Sequence, residues 1–129
     1  MGKTFELVEY FKRLSHNQMQ TETVAGDYVL SAGFGSTASV AVASGSNDRR
    51  GRITITSAGT GQGASPTCTF TFKDGPWEVA PFAMVKRSSL GSQSTIEVSW
   101  TTTTTTLVLT FVGTPVAADT YAIDYLVTG

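Results

Sequence analysis

Histidine and cysteine are all but missing: one of each, His16 and Cys68, stands in 129 residues. A single thiol excludes an intrachain disulfide and any cysteine-cluster metal site, so the fold does not depend on an oxidising compartment. Charge is scarce too. Only 15% of residues are charged, against about 25% in an ordinary globular domain. Nine basic residues nearly balance ten acidic ones, for a net charge of −1. So weak a field does not steer a protein onto phosphate backbones, which argues against nucleic acid as a partner. No apolar run approaches the roughly 20 residues of a membrane-spanning helix, so no membrane is expected either. The first residues place Glu6 and Glu9 inside their apolar run, with no small-residue cleavage site behind, unlike a signal peptide. These absences predict a soluble protein made in a cytoplasm.

Serine, threonine and glycine stand where the charges are missing, which is a β-rich and turn-rich composition. The length favours one domain. Such a chain buries roughly two thirds of its unfolded surface, enough for one modest core.

Two parts are visible along the chain. In "TFELVEYFKRLS" (residues 4–15), Leu7, Tyr10, Phe11 and Leu14 fall at i, i+3, i+4 and i+7, one apolar stripe of a helix. Glu6, Glu9, Lys12 and Arg13 take the opposite face, and Thr4 can cap the start. About three turns are marginal alone in water. The stripe must therefore dock on its own β domain or on a neighbouring subunit. Polar residues follow, so 1–23 reads as an N-terminal helix and linker arm, and 24–129 as a β domain.

From Val24 onward the period is two, punctuated by Gly, Ser, Asn and Asp. "DYVLS", "TASVAVAS", "GRITITS", "TCTFTF", "FAMVKRS", "TIEVSWT", "TTTLVLTFVG" and "TYAIDYLVT" read as strands. Their alternation points Ile53, Ile55, Cys68, Phe70, Phe72, Ile96, Val98 and Trp100 inward. Leu107, Leu109, Phe111, Tyr121, Ile123, Tyr125 and Val127 point the same way. Short strands every 8–12 residues, with no helix-length segment between them, predict an all-β fold. The reading is an antiparallel jelly-roll-like sandwich of about eight strands behind a short N-terminal amphipathic helix and arm; an immunoglobulin-type sandwich is the alternative. The run Thr101–Thr106 suits a solvent-facing hairpin or edge. A threonine ladder that binds ice is the sharper alternative, with Thr54, Thr56, Thr67, Thr69 and Thr71 as further members.

The usual chemistry is hard to assemble. A Ser-His-Asp or Cys-His arrangement needs its base beside the nucleophile. His16 lies at the end of the N-terminal helix, whereas Cys68 is expected in the core as a small hydrophobe. Paired carboxylates of a glycosidase would have to come from Glu78, Glu97 and Asp124, each at a solvent-facing position. Asp48 and Asp74 suit turns, where they bond their own backbone. "GTGQG" lacks the Lys-Ser/Thr of a phosphate loop. No enzyme, no metal and no cofactor is the expectation. Arg49, Arg50 and Arg52 gather at one hairpin and could contact a subunit or an anionic surface. Trp77, in a Pro-flanked loop, could cap the core or anchor a partner.

The stretch from Gly33 resembles a β domain that recurs in bacteriophage virion proteins, in head decoration proteins and near the C-termini of tail and fibre proteins. The residues that carry the resemblance are "SNDRRGRITITSAGTG" (Ser46–Gly61), "PTCTFTF" (Pro66–Phe72) with the following "DG", and "APF" (Ala80–Phe82). The closing "YAIDYLVTG" is similar too, so roughly residues 33–129 are covered, without the helix at 4–15. The resemblance implies a β-sandwich that assembles as a homotrimer in a virion. A capsid decoration protein bound to a major capsid protein is the first expectation. A receptor-binding or fibre-tip module, reading a host-surface glycan or protein through loops 58–66 and 74–81, is the second.

Overall fold

The computed structural model describes residues 20–88 and 96–129. The helix expected over 4–15, with Leu7, Tyr10, Phe11 and Leu14, lies outside them. Among the described residues eight strands form: β1 (Tyr28–Leu30), β2 (Ser39–Val42), β3 (Arg50–Thr56), β4 (Thr67–Thr71), β5 (Phe82–Arg87), β6 (Glu97–Thr102), β7 (Thr106–Val112) and β8 (Thr120–Thr128). They make two four-stranded sheets, ordered β1-β4-β7-β6 and β2-β3-β8-β5, and every pairing is antiparallel. Each strand coincides with an alternating segment of the sequence.

The two-sheet antiparallel sandwich is as expected, and its first sheet has the strand order of an immunoglobulin-type sheet. Taking β1, β4, β5, β6, β7 and β8 as A to F, the first sheet runs A-B-E-D and the second sets C beside F. β3 lies on the other side of F, where that fold has its strand G. It arrives there from a β2–β3 hairpin inserted between A and B. Only β2–β3 and β6–β7 stay within one sheet; every other connection crosses between sheets.

Two aromatic clusters fill the space between the sheets. Tyr28 stacks on Phe70 at 4.7 Å between ring centroids, and Phe70 meets Phe72 edge-on at 5.4 Å. At the other end Phe34, fully buried in a 3-10 turn at Ala32–Phe34, packs edge-on against Phe111, which touches Tyr121. Offset and edge-on rings suit the aromatic quadrupole and add about 0.5–1.5 kcal/mol per pair beyond burial. All but two of the side chains expected inward are buried.

Val98 is half-buried, and Trp100 is the larger departure, with 40% of its surface exposed. It sits on the edge strand β6, at the seam where β5 of the other sheet runs alongside. There its indole Nε1–H donates to the Ala83 carbonyl at 2.9 Å. Beside it the Thr102 hydroxyl donates to the Pro81 carbonyl at 2.6 Å, and the Arg87 guanidinium donates to the Ile96 carbonyl at 2.9 Å. Edge carbonyls that would otherwise invite another strand are thereby occupied. An indole that must satisfy its N–H gains more at this seam than in the core.

Candidate interaction surface

β4 separates the two loops named above as a possible receptor site. Loop 58–66 enters its first residue and loop 74–81 follows its last. Five extended residues span about 14 Å, so the loops lie at opposite ends of the sandwich and do not form one site. Loop 58–66 is tied down: Gly63 N–H donates to the Gly33 carbonyl, and Ser65 N–H to that of Gly113. Gly35 has a φ of +107°, and a Cβ there would lie 2.1 Å from the Ala58 oxygen, which only glycine avoids.

The other end carries an open depression of about 730 Å³, lined by Gln20, Asp74, Trp77, Glu78, Val79 and Phe82 among others. Trp77 is half-buried and caps the core, the first of the two readings open to it. Its ring meets Phe72 edge-on, continuing the core cluster outward, and the C-terminal Gly129 lies against its flank. Its other side faces the depression, with the Arg49 guanidinium over the ring at 5.4 Å. A cation so placed gains about 0.5–1 kcal/mol at an exposed site. The backbone at Trp77 is held by donation of its N–H to the Thr104 carbonyl.

The arginine cluster divides. Arg49 turns to Trp77, whereas Arg50 and Arg52 lie on the outer face of β3. Arg52 grips Asp124 of β8 in a two-pronged pair, Nε to Oδ1 at 2.5 Å and a terminal nitrogen to Oδ2 at 2.9 Å. That hydrogen bonding holds the Asp124 carboxyl below the ordinary aspartate range. Asp124 is thus paired with Arg52 across the β3–β8 ladder, whereas Glu97 starts β6 of the other sheet and Glu78 belongs to loop 74–81.

Asp48 departs from its expected turn role. It is buried, and its two oxygens accept the backbone N–H groups of Lys73 and Asp74 at 2.7 and 2.9 Å, joining two loops. Desolvation nonetheless raises its pKa. Asp74 accepts the N–H and hydroxyl of Thr21, and Thr23 N–H donates to the Ser46 carbonyl. Residues 21 and 23, assigned by sequence to the arm, are therefore bonded to the sandwich. Cys68 is fully buried, and burial pushes its thiol up to about 12. Among the described residues no group of three or more His, Cys, Asp or Glu is placed to hold a metal ion.

The threonines also separate. Thr101–Thr106 forms the β6–β7 hairpin, where the Thr103 hydroxyl accepts the N–H groups of Thr105 and Thr106. Thr67, Thr69 and Thr71 share the first sheet's outer face with Thr106 and Thr110. Thr54 and Thr56 belong to the second sheet, so the set does not form one ladder.

Sequence reasoning missed the most exposed apolar group. On the outer face of the second sheet Met84 stands opposite Leu126, and Arg50 lies across Leu126 from it. Phe82 is 80% exposed, Val79 77%, Met84 71% and Leu126 51%. The signal was present: "FAMV" is apolar at both parities, which a strand with one wet face does not need.

Set against family models, curated proteins and solved structures, the chain matches none.

Proposed function

We propose that the protein is a structural component of a bacteriophage virion that acts by docking, as a capsid decoration protein bound to the head surface as a homotrimer. The observation that carries the docking half is the cluster Val79, Phe82, Met84 and Leu126, flanked by Arg50 and by the Arg49–Trp77 pair. Large apolar side chains beside arginine and tryptophan are the composition of interface centres. An isolated soluble domain rarely leaves such a group together without a partner. The virion setting and the trimer rest on the resemblance of residues 33–129 to phage head and tail domains. The protein is then made in the host cytoplasm and ends in the particle, its partners being its own copies and the major capsid protein.

Co-sedimentation with purified expanded heads tests this, together with the mass in solution. Binding lost on Met84→Asp, from a species of three chains, is the expected result. A chain that stays in the supernatant with wild-type heads would overturn the decoration reading.

One observation favours a second reading. Trp77 beside Asp74 and Glu78 in an open depression offers a stacking plane and hydrogen-bond acceptors, which suit a host-surface glycan. A glycan array that gives a signal abolished by Trp77→Ala, without head binding, would select it.

A further inference from the structure

The outer face of the second sheet needs a cover, and the chain itself supplies a segment of matching shape and length. We infer that residues 4–15 of the same chain lie on this face in the free protein, with Leu7, Tyr10, Phe11 and Leu14 against Val79, Phe82, Met84 and Leu126. Gln20 lines the same depression as Val79 and Phe82, so the preceding residues begin at the rim of the apolar cluster. Residues 16–19 reach about 14 Å when extended. Twelve helical residues would be about 18 Å long. The outward row from Phe82 to Lys86 spans about 13 Å. A segment tethered this closely has a high effective concentration at the face, which favours its own chain over a second copy.

Charge order agrees with this direction. Lys12 and Arg13 are nearest Gln20, and Asp74 and Glu78 line the depression there. Glu6 and Glu9 would then lie farther back, toward Arg50 beside Leu126 and, in the next row, Lys86 and Arg52 on either side of Asp124. Reversing the segment would bring Glu6 and Glu9 to the depression, where Asp48, Asp74 and Glu78 outnumber Arg49. The inference uses the docking reading only for the location of the face.

The test uses the full chain without heads. Phe11→Cys with Met84→Cys, treated with a short bismaleimide, is expected to give an internal crosslink at the mass of one chain. Buried Cys68 does not compete. A crosslink found only between two chains, or none at all, would overturn the inference. A second measurement avoids cysteines. Leu7→Ser with Phe11→Ser should raise anilinonaphthalene sulfonate fluorescence several-fold, and adding Met84→Ser and Leu126→Ser should remove the rise. A double variant as dark as wild type would count against the cover. Head binding is read separately, so a crosslink without head binding fails only the decoration proposal.

Discussion

The hydroxyls of Tyr28 and Tyr125 meet 2.6 Å apart between the sheets, joining β1 of one to β8 of the other. Tyr125 donates to the Asn47 carbonyl at 2.7 Å. Tyr28 must therefore donate to Tyr125, and the Thr23 hydroxyl, 3.0 Å from Tyr28, donates in turn. Burial raises both phenols above the ordinary tyrosine range; the bond with Tyr28 raises Tyr125 further, whereas the bonds to Thr23 and Tyr125 act in the opposite sense on Tyr28. Gly51 makes room for it, since a Cβ there would come within 2.5 Å of the Tyr125 oxygen.

Tyr125→Phe removes the central link and leaves the Asn47 carbonyl without its donor. The expected loss is about 1–3 kcal/mol, the cost of an unmade bond to a buried polar group. Urea denaturation should show a lower midpoint with an unchanged slope. Gly51→Ala should also destabilise, by crowding the same hydroxyl.

Cys68 should be inert while the protein is folded. Its thiol is buried and titrates near 12, so at pH 8 almost no thiolate meets an added reagent. Colour from a disulfide reagent should develop slowly in buffer and at once in denaturant. Fast labelling of the native protein would contradict the burial.

The seam between β5 and β6 should guard against self-association. Thr102→Val and Trp100→Phe free the carbonyls of Pro81 and Ala83 at the edge of β5. The double variant is expected to scatter more light than wild type during incubation, with little change in its melting temperature.

Asp48 should make the fold relatively more stable in acid. Its pKa is raised by burial, so the native state holds the proton more tightly than the unfolded chain, whose value is about 3.9. This contribution is full below the unfolded value and is lost as pH rises through the native one. Asp124, lowered by Arg52, acts in the opposite sense: its contribution is present above the unfolded value and is lost as pH falls through the native one. The comparison of Asp48→Asn with wild type isolates the first effect. Denaturation from pH 3 to pH 7 should show less decline with rising pH in the variant.

Period-two alternation by itself determined the eight strands and nearly all of the core. Ile53, Phe70, Leu109 and Tyr125 could be read inward because side chains in a strand alternate faces whatever the strand pairs with. Scarcity of histidine and cysteine was legible the same way. Only the tertiary structure decided which strands pair, because pairing depends on where each connection crosses the sandwich and no local pattern records it. It set β4 beside β7 and β8 beside β3 and β5. Trp100 went to the seam, since an edge strand gives its indole N–H a carbonyl to satisfy. Asp48 left its own turn to join two loops. Arg49 parted from its sequence neighbours Arg50 and Arg52 because successive residues of an extended chain face opposite ways. The exposed apolar face came from the same cause: register alone brought Met84 of β5 and Arg50 of β3 to either side of Leu126 in β8.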